Sequence, residues 1–127
     1  MSRGITDRLL DAIEAIDKIE HYISGLTWSE FQTQRGIQLI VERLLITVGE
    51  ALDKAEALDK TLGTRIPGIG QAIATGKQIL RTTSGIDPAL LWEIGIDRTP
   101  RLRDPLRLAV EDYRLPGSVP KEAGSSA

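Results

Sequence analysis

Residues 35–58 read RGIQLIVERLLITVGEALDKAEAL, the longest stretch of helical periodicity in the chain. Its main apolar stripe recurs at intervals of three and four residues and contains Ile37, Val41, Leu44, Leu45, Val48, Leu52 and Ala55. Ile40 and Ile46 add apolar surface outside that stripe. A helix that is apolar on more than one side lies in the centre of a bundle or packs against a second subunit. This segment therefore predicts a long helix around which the rest of the chain folds.

Amphipathic segments on both sides extend this helical pattern. Residues 6–23 predict a first helix, which Ser24-Gly25 ends because glycine adopts the left-handed conformation easily. Thr27 and Glu30 form a capping box that predicts a short helix ending near Gln34.

Beyond the long helix, the glycine-rich segment 63–70 predicts a loop and residues 71–81 predict a further helix. Asp87-Pro88 is a helix start signal, and Thr99-Pro100 repeats it for the last helix. No segment alternates as a strand does. The sequence thus predicts an all-α fold, a bundle of four or five helices.

Length and composition indicate one domain over residues 1–113, followed by a disordered tail over residues 114–127 that is rich in Pro, Gly and Ser. The net charge is −2, so no overall basic field favours nucleic acid. The chain has no cysteine and one histidine, His21, and we expect neither a metal ion nor a cofactor. No apolar run is long enough to cross a membrane and the first residues lack a signal peptide, so we expect a cytoplasmic protein.

A few residues stand out as candidate functional groups. His21, near the end of the first helix, fits an exposed or capping role better than acid–base catalysis. Trp28 and Trp92 fit core or interface positions. Gly49 indicates close approach by another helix, which would bring Glu50 near a buried interface, either in a polar network or in solvent.

The glycine-rich segment offers a second pattern. Ile66-Pro67-Gly68-Ile69-Gly70 resembles a helix-hairpin-helix element, in which backbone N–H groups at a helix start bind a DNA phosphate. Lys77 and Arg81 would add positive charge. The alternative is a plain connector between two helices with turn glycines.

The order of several segments resembles the HepT-like branch of the HEPN superfamily over about residues 6–113. The segments that carry the resemblance are Leu26 to Phe31, Thr33-Gln34-Arg35, Ile40 to Ala51, Ile66-Pro67, Ile86-Asp87, Leu91 to Ile94 and Thr99 to Leu102. The resemblance implies an antiparallel helical bundle that forms a homodimer. It also implies a toxin that cleaves RNA without metal, paired with a minimal nucleotidyltransferase antitoxin that can add AMP to a tyrosine.

The chain departs from the family at its active-site motif, which is Arg-Asn, three residues, His, one residue, Tyr. Counting back from Asp87, those positions hold Gly76, Lys77, Arg81 and Thr83. The catalytic set and the modifiable tyrosine therefore do not carry over, and only Glu50 falls on a matching position, as a polar residue near the former site.

The leading expectation is therefore a non-catalytic HepT-like protein that binds a nucleotidyltransferase partner, a nucleotide or RNA. Lys77 and Arg81 lie one helical turn apart and would act as cations on phosphate. One alternative is a rewired ribonuclease using Lys77, Arg81 and Glu50. Another is a helix-hairpin-helix protein that binds DNA without sequence specificity.

Overall fold

The computed structural model describes residues 4–115, and within that range the chain is helical without strands. This confirms the all-α fold class. Seven α-helices and one π-helical turn follow one another: α1 Ile5–Ile23, α2 Trp28–Thr33, α3 Arg35–Leu58, α4 Leu62–Arg65, α5 Ile69–Arg81, α6 Pro88–Glu93, the π turn Ile94–Arg98 and α7 Thr99–Arg114. The described part thus has more helical segments than the four or five expected. Of the predicted tail, 114–127, residues 116–127 lie outside the described residues.

Three helix boundaries have the local chemistry that the sequence predicts. The backbone N–H of Glu30 donates to Thr27 Oγ1 at 3.1 Å and the N–H of Thr27 donates to Glu30 Oε1 at 2.9 Å, which completes the capping box of α2. Gly25, after α1, has a φ of +86°. Asp87 accepts the N–H of Ala89 at 3.1 Å at the start of α6, with Pro88 as its first residue.

Two expectations about boundaries are wrong. The segment 63–70 is not all loop, because α4 extends into it as far as Arg65 and α5 already begins at Ile69. Thr99 is not an N-cap, since the chain runs helically through it from α6 into α7. Its hydroxyl donates back to the carbonyls of Ile94 and Gly95, both at 3.3 Å, where Thr99 is buried. The wider π turn lets the helix continue next to Pro100, which has no N–H to donate.

The long helix α3 lies centrally, packed mainly against α1 and α5, while α7 packs against α1. Ile46 is only 7 % exposed, and Gly76 of α5 lies against its backbone, so that a Cβ at Gly76 would be 3.5 Å from Ile46 Cα. Leu39 and Ile40, by contrast, remain 49 % and 37 % exposed. The second apolar face of the long helix is therefore partly used inside the protomer rather than left whole for a second subunit.

An ion-pair cluster joins α1 to α7 at the surface. Arg103 donates from Nε to Asp17 Oδ1 at 2.9 Å and from Nη2 to Glu20. Burial opposes the charge of Arg103, but both carboxylates outweigh it and raise the pKa of the guanidinium. Of the helices described, none combines the length and the apolar character that a membrane span requires.

Candidate functional site

Two glycines bring α3 and α5 into direct backbone contact. A Cβ added to Gly76 would lie 3.3 Å from both Gly49 Cα and the carbonyl oxygen of Leu45, tighter than normal side-chain packing. The close approach predicted from Gly49 is therefore present, and its partner is Gly76. Since Gly76 is buried at this crossing, no arginine could replace it without separating the helices.

The two cations singled out from the sequence lie on the exposed surface of α5. Lys77 forms an ion pair with Asp53 of α3 at 3.9 Å, and both side chains are more than half exposed. Arg81, in the last turn of α5, is exposed and makes no ion pair within residues 4–115. Such exposed pairs contribute at most about 1 kcal/mol, so Lys77 can exchange Asp53 for another anion at little cost.

The segment after α5 carries Thr83, and a buried carboxylate of α3 accepts a hydrogen bond from its backbone. Glu42 of α3, only 7 % exposed, accepts the N–H of Ile86 at 3.4 Å and lies 3.8 Å from Arg35 Nη1. Gly85 has a φ of +81°, and a Cβ there would lie 2.5 Å from Glu42 Oε2. Thr83 itself is exposed. Glu42 therefore fixes the turn that presents Thr83 next to the end of α5.

Sequence reasoning did not single out Glu42, although a signal was available. Glu42 lies four residues after Gln38 and three before Leu45, and all three are buried. A charged residue at the spacing of a buried stripe indicates a carboxylate that needs a partner within the fold. The partner, the N–H of Ile86, is 44 residues away and has no sequence signature of its own.

Glu50 lies in a different groove, between α1 and α3. It is exposed, and the groove of about 340 Å³ is also lined by the cations Arg8, Lys18 and Lys54. Neither Lys77 nor Arg81 lines this groove. Of the three residues proposed to act together, only Lys77 and Arg81 therefore share one helix surface.

The segment that resembles a helix-hairpin-helix element lies between two helical segments. The single turn α4 leads through residues 66–68 into α5, and Gly68 just before α5 has a φ of +89°. No side chain caps the start of α5, so its first backbone N–H groups donate to no capping side chain and point out of the helix end.

A buried carboxylate links the end of α3 to α7. Asp59, only 3 % exposed, accepts hydrogen bonds from the hydroxyl of Tyr113 and from Thr61, whose N–H and Oγ1 lie 2.9 and 2.7 Å away. Arg65 Nη1 lies 3.6 Å from Asp59 and its guanidinium stacks over the Tyr113 ring.

This cluster shifts the pKa of both of its acids. Burial acts to raise the pKa of Asp59, but the hydrogen bonds from Tyr113 and Thr61 and the charge of Arg65 outweigh it, so the pKa falls below 3.8. Burial and the bond to Asp59 raise the pKa of Tyr113 above 10.0. This cluster was not among the sites predicted from the sequence. It connects the end of α3 to α4 and α7 and so has a structural role.

The remaining candidates have simple environments. His21 is exposed, with its ring edge-on to Tyr22 at 5.6 Å between centroids. Trp28 and Trp92 pack with the buried Phe31 at the edge of the core, where Trp28 stays 36 % exposed. Nothing in these surroundings gives His21 a catalytic partner within the described residues.

Within residues 4–115 there is no group of three or more His, Asp or Glu side chains that could hold a metal ion. In comparisons with known proteins, neither a protein-family model, a curated protein nor a solved structure matches this chain.

Proposed function

We propose that this protein is a HepT-like member of the HEPN superfamily that lacks the ribonuclease motif and binds single-stranded RNA as a homodimer. The support from the sequence is the order of the resembling segments along an all-helical chain. The observation that carries the binding role is the pair Lys77 and Arg81, exposed one turn apart at the end of α5. Both can neutralise phosphate, the main contribution to sequence-independent RNA affinity.

The absence of cleavage follows from the groups available at the motif. Gly76 is packed against the α3 backbone, and the positions of Arg81 and Thr83 carry no imidazole to act as general acid or base. His21, on α1, is the one histidine of the sequence and lies outside this motif. RNA held by Lys77 and Arg81 therefore stays intact.

Fluorescence anisotropy with end-labelled single-stranded RNA, in the presence of EDTA, tests this proposal. We expect Lys77→Gln and Arg81→Gln each to weaken binding several-fold, and the two together to reduce it further. Lys60→Gln, an exposed lysine between α3 and α4, is the matched control and should bind as the wild type does.

The same samples, run on a denaturing gel, separate the alternatives. Cleavage that is lost in Arg81→Ala would establish a rewired ribonuclease and overturn the non-catalytic role. Equal RNA binding by wild type and the double variant would remove Lys77 and Arg81 from the site. In that case a nucleotide or a nucleotidyltransferase partner becomes the ligand to test.

The homodimer is part of the same proposal. Its support is the exposed apolar surface of Leu39 and Ile40 on α3, which α5 leaves uncovered. Sedimentation velocity on the wild type and on Leu39→Glu tests it. A monomeric wild type would contradict it.

A second candidate function is DNA binding without sequence specificity by the α4–α5 hairpin. The observation that favours it is the left-handed Gly68 before a helix start that no side chain caps. It predicts weak binding of duplex DNA that falls steeply with salt. Duplex binding that does not change with salt would exclude it.

A further inference from the structure

A small cleft, separate from Lys77 and Arg81, opens between α3, α5, the π turn and the first two turns of α7. Its volume is about 250 Å³. The apolar floor consists of Leu45, Val48, Ala72, Ile94 and Leu102. Since binding pockets for drug-sized ligands begin at about 300 Å³, this cleft suits one ring or a short alkyl chain.

Polar groups in the wall of the cleft are free to bind. Thr75 and Gln71 of α5 line it, and neither side chain makes a hydrogen bond to another residue within the described range. Thr75 is a half-buried residue and lines the cleft together with the apolar floor. An apolar pocket with a few unpaired polar groups is typical of a site that orients a small ligand.

The charged side chains that line the cleft are all positive. Its lining includes Arg98 and Arg101 and no carboxylate. Arg98 pairs with Glu93 at 3.3 Å and Arg101 with Asp97 at 3.0 Å. The side chains of both acids are about half exposed, so each pair is weak and can give way to a ligand anion at the mouth.

From this combination we infer that the cleft binds a small amphipathic anion, with its apolar part on the floor and its carboxylate or phosphate at Arg98 and Arg101. Arginine suits both head groups because its planar guanidinium donates two parallel hydrogen bonds. This inference does not depend on the proposed RNA-binding function, since neither Lys77 nor Arg81 lines the cleft.

Titration of the ¹⁵N-labelled full chain, followed by amide chemical shifts, tests the site with defined probes. Hexanoate and phenyl phosphate each carry an apolar part and one of the two head groups. Hexanol supplies the apolar part alone and inorganic phosphate supplies the charge alone. We expect saturable shifts at Thr75 and Leu102 with hexanoate or phenyl phosphate, and the tighter of the two identifies the head group.

Substitutions locate the ligand in the cleft. Arg98→Gln with Arg101→Gln should weaken binding about tenfold, because charge-assisted hydrogen bonds are lost. The control is Arg107→Gln, an exposed arginine of α7 outside the lining. Thr75→Phe should fill the cleft and abolish binding, whereas Ala74→Phe, one residue away and exposed, should leave it unchanged.

Several results would overturn the inference. Hexanol binding as tightly as hexanoate would make the cleft a plain apolar cavity, and phosphate alone binding as tightly as phenyl phosphate would reduce it to surface charge. Binding that the arginine substitutions do not change would also reject it. So would the absence of shifts with both amphipathic probes. Arg101 is exposed, so Arg101→Gln remains informative even if Thr75→Phe does not fold.

Discussion

At the scale of single residues, the hydrogen bond from Tyr113 to Asp59 connects the end of α3 to α7. We expect Tyr113→Phe to lower the free energy of unfolding by about 1–2 kcal/mol, because the buried carboxylate loses a donor. Tyr22→Phe, at an exposed tyrosine, is the control and should change little. Urea denaturation of the two variants and the wild type measures the effect.

The same pair contributes to the pH dependence of stability at both extremes. The pKa of Asp59 is lower in the folded state, so its contribution is present above pH 3.8 and is lost as the pH falls further. The pKa of Tyr113 is higher in the folded state, so its contribution is present below pH 10.0 and is lost as the pH rises beyond that. In Tyr113→Phe the alkaline loss should disappear and the acid loss should shrink. An unchanged profile in denaturation at about pH 3, 7 and 11 would contradict this assignment.

Gly49 is the second residue on which stability depends. An added Cβ would lie 3.1 Å from the carbonyl oxygen of Ala72 and 3.3 Å from Gly76 Cα, both backbone atoms. We expect Gly49→Ala to destabilise the protein by about 1–3 kcal/mol despite the better helix propensity of alanine. Gly70→Ala is the control, because its Cβ meets nothing within 4 Å, and it should stabilise by up to about 1 kcal/mol. Thermal unfolding of both variants tests this prediction. A Gly49→Ala variant as stable as Gly70→Ala would refute the close crossing of α3 and α5.

At the scale of elements, Glu42 joins α3 to the segment between α5 and α6 through the N–H of Ile86. Glu42→Ala should cost about 1–3 kcal/mol, since a buried N–H is left without an acceptor. Glu42→Gln keeps an acceptor oxygen and should cost less. Hydrogen exchange at the Ile86 amide reports on this contact directly. Equal protection in wild type and Glu42→Ala would mean that the carboxylate does not hold the segment.

At the scale of the whole molecule, the net charge of −2 provides no general attraction for RNA, so the proposed binding depends on local cations. Single-stranded nucleic acid gives a slope of log affinity against log salt of about −0.7 for each phosphate neutralised. Two cations therefore predict a slope of about −1.4 for one protomer and about −2.8 for a dimer. Anisotropy titrations over a range of KCl concentrations measure it. A slope that is the same for wild type and for the Lys77→Gln, Arg81→Gln protein would reject this site.

Local chemistry made most of the fold predictable. The bounds of α3, the capping box at Thr27 and the start of α6 at Asp87 all follow from residues within one or two helical turns. The prediction was wrong at Thr99, where the residue type suggests an N-cap. Thr99 is buried, and its hydroxyl donates instead to the preceding carbonyl groups of Ile94 and Gly95. The prediction of a loop over residues 63–70 was also wrong, since the single helical turn of α4 is too short to leave a periodic signal.

The sequence by itself determined the all-helical class, because apolar periodicity and capping are properties of neighbouring residues. It also indicated that Gly49 is a point of close approach. Only the tertiary structure decided that Gly76 is the partner, that Glu42 binds Ile86, and that Glu50 lies in a groove that Lys77 and Arg81 do not line. The reason is physical: these contacts join residues that are far apart in the chain, and their geometry depends on how α1, α3 and α5 pack.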